Sequence, residues 1–132
     1  MKNPVDTVKV SERAKDRLIR LKSKTRIENW NVLCRWALCT SLSEPSVPPP
    51  MDIKLDSNIE IPWRIFGGEH ADVYTALMLQ RCIDDGLGAD PEVVVANQFK
   101  MHLHRGIGYL ATDRGMRSID DLFKRGMEPE TA

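Results

Sequence analysis

Four prolines lie within the last six residues of the segment SEPSVPPP, Ser43 to Pro50, and they constrain the fold of this 132-residue chain most. Proline lacks the backbone N–H that helices and central strands need, and it also restricts the residue before it. The segment therefore predicts an extended connection that no helix crosses. It separates residues 5–42 from residues 67–126 within one domain, because the chain is too short for two well-packed cores.

The chain before the prolines begins with an alternation of apolar and polar residues, which predicts a short strand with Val8 and Val10 on one side. Ser11 suits the N-cap of a first helix, expected from Glu12 to about Lys24. A second helix is expected from about Asn29 to Leu42. It is apolar over most of its circumference, which is typical of a central helix that contacts other helices, or another chain, on several sides.

The chain after the prolines changes pattern. Residues 51–66 alternate weakly on either side of Ser57-Asn58, which predicts a small hairpin whose second arm Pro62 confines to an edge. Further helices are expected over 69–85, from Pro91 to about Leu110 and in SIDDLFKR, followed by a frayed tail at 127–132. The predicted fold is mainly α: a compact helical domain with a short N-terminal ribbon, similar in its opening to a ribbon-helix-helix element, and the small hairpin.

Charge is distributed unevenly although the net charge is zero. Residues 1–40 carry ten Lys/Arg and four Asp/Glu, a balance of +6, and residues 41–132 carry nine and fifteen, a balance of −6. Such a division predicts a basic face for an anionic partner, or for an acidic surface of another subunit.

The first helix concentrates this positive charge. At 100° per residue, Arg13, Arg17, Arg20 and Lys24 fall within an arc of about 60°, so they form one ridge. Stacked cations repel one another, and the phosphates of DNA would relieve that repulsion. A ridge of point charges favours contact with the backbone over reading of bases. The predicted DNA-binding residues are the ridge and its flanking cations: Lys9, Arg13, Lys15, Arg17, Arg20, Lys22, Lys24 and Arg26.

Other groups that could carry chemistry have simpler interpretations. Cys34 and Cys39 point about 140° apart on a helix, so these two, and Cys82, are predicted to pack in the core. The side chains of the two histidines in HLHRG, His102 and His104, point in different directions on a helix. No third ligand lies near them in sequence, so no metal and no cofactor are expected. No catalytic motif is present, and the chain is predicted not to be an enzyme. Arg35, within an apolar run, is expected in an ion pair.

The stretches RLIRLKSKT, NVLCRWALCTSLSEPSVP, FGGEH and FKMHLHRGIGYL together resemble the DndE family, the small subunits of the bacterial DNA phosphorothioation (sulfur modification) machinery. The resemblance spans about Val8 to Leu122. It implies a helical homotetramer that binds double-stranded DNA, prefers nicked duplex and is not itself catalytic. It also implies partner subunits: a cysteine desulfurase, an iron–sulfur protein and an ATPase-like protein, which together replace a non-bridging phosphate oxygen with sulfur. The basic residues of the first helix match the family's basic region.

Two positions depart from the family's usual pattern. Arg26 stands where a glycine usually follows the threonine, and His104 stands where an asparagine is common. The sequence therefore does not determine the conformation of the loop at Arg26, although the charge of this arginine suits phosphate binding.

Three other functions remain open at this point. The basic face could dock an acidic subunit, the opening could be that of a ribbon-helix-helix repressor that reads an operator through Thr7 and Lys9, or a reactive cysteine could carry sulfur. No apolar run approaches the roughly 20 residues of a membrane span, no secretory signal is recognisable, and three cysteines without a C-x-x-C pair suit a reducing cytoplasm.

Overall fold

The computed structural model describes residues 2–87 and 92–112. The described chain is mainly helical with one small antiparallel sheet, as the sequence predicts. Its elements in order are β1 (Thr7–Lys9), α1 (Glu12–Thr25), α2 (Trp30–Leu42), β2 (Glu60–Pro62), α3 (Trp63–Gly67), a single 3₁₀ turn (Gly68–His70), α4 (Ala71–Asp84) and α5 (Glu92–Thr112).

Two helices, α2 and α5, make the most extensive contact in the fold. Leu38 and Leu103 are fully buried in this core. Helix α2 also contacts α1 and α3, and α5 also contacts α1 and α4. The prediction of a central second helix is therefore confirmed.

The sheet forms differently from the predicted hairpin within residues 51–66. β2 pairs antiparallel with β1, and Val8 lies opposite Ile61, which is 53 residues later in the sequence. Both of these residues are buried, so the pairing lays one face of a short ribbon on the helical core. Burial of that face sets the register of the pairing. The Ser57-Asn58 turn signal is local and brings no comparable burial. The hairpin prediction was wrong in its pairing, although β2 lies in the predicted second arm.

Helix α3 was not predicted, because residues 60–66 alternate as a strand would. Trp63 and Phe66 are three residues apart, so one helical turn places both rings on the same side. The rings stack with centroids 5.0 Å apart, and both also contact Phe99 of α5 edge-on. Burial of this aromatic cluster outweighs the local strand pattern.

The proline-rich connection after α2 contains no helix or strand, so the prediction that no helix crosses it is confirmed. Arginines of two later helices hold its first part in place. Arg81 donates to the carbonyl oxygens of Leu42, Glu44 and Ser46 at 2.6–2.9 Å. Arg105 donates to the carbonyl and the hydroxyl oxygen of Ser41. The guanidinium groups thereby satisfy carbonyl oxygens at and just after the end of α2. Their positive charge also interacts favourably with the negative end of the helix dipole.

Several predictions lie outside the described residues. These are the start of the helix predicted from Pro91, the helix predicted in SIDDLFKR, and the tail at 127–132. Within the described helices, none is both long enough and apolar enough to cross a membrane.

Candidate nucleic-acid interface

Helix α1 is held by a narrow apolar face, and this face decides where its cations lie. Ser11 caps the helix by accepting a hydrogen bond from the Ala14 N–H at 3.1 Å. Leu18 and Leu21 are buried against the core, each with at most 1% exposure. These buried residues fix the rotation of α1, so that one edge of its buried face carries four of the predicted cations, of which Arg17 is half-buried and the others exposed. We call this row the basic ridge: Arg13, Arg17, Arg20 and Lys24.

The basic ridge is electrostatically strained. Arg13, Arg20 and Lys24 are exposed, and Arg17 is half-buried. Burial lowers the pKa of Arg17, and the neighbouring charges of Arg13 and Arg20 lower it further. The ion pairs found in the described part of the chain involve Lys2, Lys9 and Arg81, so no ridge cation has a carboxylate partner there. A surface of this kind gains most from an anion with several charges at regular spacing.

The flanking cations Lys9, Lys15 and Lys22 have partners within the chain. Lys9 lies 4.0 Å from the Glu60 carboxylate, and both groups are exposed. Lys15 donates to Asn58 Oδ1 at 2.6 Å, and Lys22 lies 4.7 Å from the centroid of the Trp30 ring. Exposed contacts of this type are weak, typically below about 1 kcal/mol, so an incoming phosphate can compete for these side chains.

Arg26 completes the basic surface at the C-terminal end of α1, in an unusual conformation. Its φ angle is +61°, in the left-handed region, and its N–H donates to the Lys22 carbonyl at 2.9 Å. Glycine adopts this conformation without the steric cost that a side chain carries. The loop whose conformation the sequence did not determine is thus a helix cap in the left-handed region. The exposed Arg26 holds this conformation at a cost in backbone strain.

A groove of about 560 Å³ lies beside the basic ridge, between α1, α5 and residues 48–56. Arg13 and Arg17 line both the groove and the ridge. The groove also brings in Lys54, Arg105 and Tyr109, which the sequence did not suggest. They lie between 30 and 96 residues from the ridge in sequence, so no local pattern could connect them with it.

The two histidines of HLHRG both lie on α5 and make structural contacts with different neighbours. His102 is fully buried, and its Nδ1 lies 2.8 Å from Ser41 Oγ of α2. Burial lowers the pKa of His102 to about 4, and Arg81 and Arg105 act in the same direction. His104 lies toward α1, where its Nε2 accepts a hydrogen bond from the Ser11 N–H at 3.1 Å. The rings diverge as predicted, and no group of three potential metal ligands occurs among the described residues.

The cysteines divide into two buried residues and one exposed residue. Cys34 and Cys82 pack in the core as predicted, and burial raises the pKa of Cys34 to about 12. Cys39 is exposed, so its predicted core position was wrong. It lies on the outer side of α2, away from the face that packs on α5. Partial burial still raises the pKa of Cys39, opposed by the charge of Arg35, and a thiol with a raised pKa is a poor nucleophile.

Arg35 has a partner other than the predicted carboxylate. Its Nη1 donates to the Phe66 carbonyl oxygen at 3.3 Å, and no ion pair involves it in the described residues. Phe66 lies near the C-terminal end of the short helix α3, where carbonyl oxygens lack helical partners. Arg35 therefore satisfies a helix end, and no carboxylate of the described residues supplies the predicted ion pair.

Comparison with protein families gives one match over most of the chain. The model of the family described as DNA sulphur modification protein DndE matches residues 7–118, so the chain belongs to the DndE family. No curated protein sequence matches significantly. The matched range contains α1, the cations that surround it and both walls of the groove.

Proposed function

We propose that this member of the DndE family is a non-enzymatic DNA-binding subunit of the bacterial phosphorothioation machinery, acting in the cytoplasm. The family assignment gives it a role in DNA sulfur modification. The observation that carries the proposal of DNA binding is the basic ridge. It presents four cations in one row, and none has a carboxylate partner among the described residues.

The dimensions of the basic ridge suit a nucleic-acid backbone. From Arg13 to Lys24 the helix rises about 16 Å, at 1.5 Å per residue. One DNA strand presents a phosphate about every 3.4 Å along the duplex axis, so several phosphates lie within the length of the ridge. Arginine and lysine side chains that contact phosphates fix position without reading sequence. Arg26 at the end of α1 and the loosely held Lys9, Lys15 and Lys22 extend the same surface.

A preference for nicked duplex is part of this proposal. A nick removes a covalent constraint in one strand, so the duplex bends and opens there at lower cost than in intact DNA. A rigid helix that carries its cations in a straight row gains from a backbone that adapts to it. The other subunits of the machinery would act on DNA that this subunit positions.

Assembly into a homotetramer is also proposed. Apolar side chains remain exposed on one side of the described chain, among them Ile65 at 50%, Val73 at 53% and Leu77 at 43%. Arg35 and Cys39 on the outer side of α2 lie next to this region, because Arg35 contacts the end of α3. An exposed apolar surface of this kind is typical of a contact between subunits. Packing of identical subunits would repeat the basic ridge around the assembly.

Two of the alternative functions lose support. β1 pairs with β2 of its own chain, whereas a ribbon-helix-helix repressor needs that strand for its partner. The raised pKa values of all three cysteines argue against a sulfur carrier. Docking of an acidic subunit on the basic ridge remains the competing function.

A gel-shift experiment with nicked, gapped and intact duplexes of one sequence tests the proposal, with light scattering to measure the assembly state. We expect binding to all three, tightest to the nicked duplex, by a species about four times the mass of one chain. Competition by unrelated sequences should be equal. Absence of any shift, together with salt-sensitive binding to an acidic subunit, would favour the competing function.

A further inference from the structure

The groove beside the basic ridge is large enough to hold part of a ligand. Its volume is about 560 Å³, within the range of about 300–1,000 Å³ that is usual for sites of small molecules. Because Arg13 and Arg17 belong to both the groove and the ridge, a strand that lies along the ridge passes the mouth of the groove. Whatever binds in the groove can thus be continuous with the bound strand.

The groove offers flat and apolar surfaces. Tyr109 on α5 is 40% exposed, and Met51 opposite it is 64% exposed, which is high for residues of these types in a concave site. The Arg105 guanidinium lies 5.8 Å from the centroid of the Tyr109 ring. An aromatic ring with an adjacent guanidinium is the kind of platform on which nucleobases stack.

The charges around the groove are mixed. Four cations line it, namely Arg13, Arg17, Lys54 and Arg105, together with three carboxylates, Glu12, Asp52 and Asp56. Asp56 is already engaged, since its Oδ1 accepts the Glu12 N–H at 2.9 Å. A groove of this kind does not suit a chain of phosphates. It suits a neutral planar group inside and one phosphate at the mouth, where Arg13 and Arg17 lie.

Gly108 lets Arg17 reach across to α5. A Cβ atom at Gly108 would lie 3.1 Å from Arg17 Nη1, so the guanidinium rests against the bare backbone of the helix. This contact, rather than a carboxylate, holds Arg17 between the ridge and the groove. The arginine is thereby positioned to contact the phosphate of a nucleotide that turns inward.

We propose that the groove receives one unstacked nucleobase of the DNA strand that lies along the basic ridge, with the base against Tyr109 and Met51 and its phosphate at Arg13 and Arg17. The inference rests on the DNA-binding function proposed above and assigns a second contact to the same site. Removal of a base from the stack costs least where pairing is already weakened. A base beside a nick therefore enters the groove more readily than one within intact duplex.

Fluorescence of 2-aminopurine tests the inference, because this base analogue brightens when it leaves the stack. The analogue is placed beside the nick in one duplex and ten base pairs away in another, and protein is added to saturation, which anisotropy of a distant dye verifies. We expect brightening only beside the nick. Tyr109→Ala should abolish it and weaken binding to nicked DNA about tenfold, whereas Tyr109→Phe should retain both.

A matched variant separates this inference from the general binding function. Arg20 lies on the ridge outside the groove. Arg20→Ala should therefore weaken binding to every duplex and leave the brightening at saturation unchanged. Saturated binding without brightening, or brightening that survives Tyr109→Ala, would overturn the nucleobase site and leave the DNA-binding function standing. Failure of the wild-type protein to bind any duplex would overturn both.

Discussion

Gly106 of α5 lies so close to Ala37 of α2 that a Cβ atom at Gly106 would be 1.7 Å from the Ala37 carbonyl oxygen. The two central helices can approach this far only because position 106 has no side chain. Since α1 packs on α5, the same contact supports the helix that carries the basic ridge.

Substitution of this glycine should be far more damaging than substitution of its neighbour on the same helix. Gly106→Ala would force the backbones of α2 and α5 apart, so we expect a loss of about 3 kcal/mol or more in the free energy of unfolding. Gly108→Ala meets only the end of the flexible Arg17 side chain, and we expect a change below about 1 kcal/mol. Urea unfolding followed by circular dichroism measures both, and equal losses would contradict the close helix contact.

Replacement of Arg26 by glycine should stabilise the fold and weaken the salt dependence of DNA binding. Arg26→Gly relieves a left-handed residue that carries a side chain, so we expect a gain of about 1 kcal/mol in the free energy of unfolding. The same change removes one cation, so the salt dependence of DNA binding should fall by about 0.9 in log–log slope. Arg26→Ala is the matched control, because it loses the charge and keeps the strain. Equal gains in both variants would show that the gain comes from the lost charge and that the left-handed conformation carries no cost.

The burial of His102 should make stability fall in mildly acidic solution. Its pKa is lowered from 6.5 to about 4 in the folded chain, so between these pH values the unfolded chain binds a proton that the folded chain does not. Stability contributed by the neutral ring is therefore complete above about pH 6.5 and declines toward pH 4, with a slope of at most about 1.4 kcal/mol per pH unit. His102→Gln removes this titration. Unfolding measured from pH 5 to 7.5 should show a shallower slope for the variant, and identical slopes would refute the assignment.

Thiol labelling should distinguish Cys39 from the other two cysteines. Cys39 is exposed, whereas Cys34 and Cys82 are buried. We expect Cys39 to label before the other two thiols in the native protein and this first phase to be absent from Cys39→Ser. Its rate should be low at neutral pH and rise with pH, because the pKa of Cys39 is raised. DNA binding should be unchanged in Cys39→Ser. Loss of binding in this variant would revive a role for the thiol.

The helices could be predicted because their signals are local. Ser11 as N-cap, the apolar spacing of Leu18 and Leu21, and the prolines after Leu42 each act within a few residues, and α1 and α2 begin and end close to the predicted positions. The basic ridge follows from the same spacing, since helical geometry alone places its cations in one row.

The errors concern features that only the folded chain brings together. β2 pairs with β1 rather than within residues 51–66, and Trp63 forms a helical turn because Phe66 and Phe99 cover its ring. Arg35 meets a carbonyl oxygen of α3, 31 residues away, where the sequence suggested a carboxylate. The groove is formed by three segments distant in sequence, so its lining could not be assembled from motifs.

The salt dependence of DNA binding tests the central claim most directly. Affinity for one nicked duplex is measured by anisotropy at several salt concentrations for the wild-type protein, the double variant Arg20→Ala/Lys24→Ala, and Arg64→Ala as a control. Arg64 is exposed on α3, outside the basic ridge. If the ridge contacts phosphates, the double variant should lose about 1.8 from the log–log slope per bound chain, and the control should keep the wild-type slope. A wild-type affinity that does not change with salt, or equal slopes for all three proteins, would contradict the claim that this ridge binds the DNA backbone.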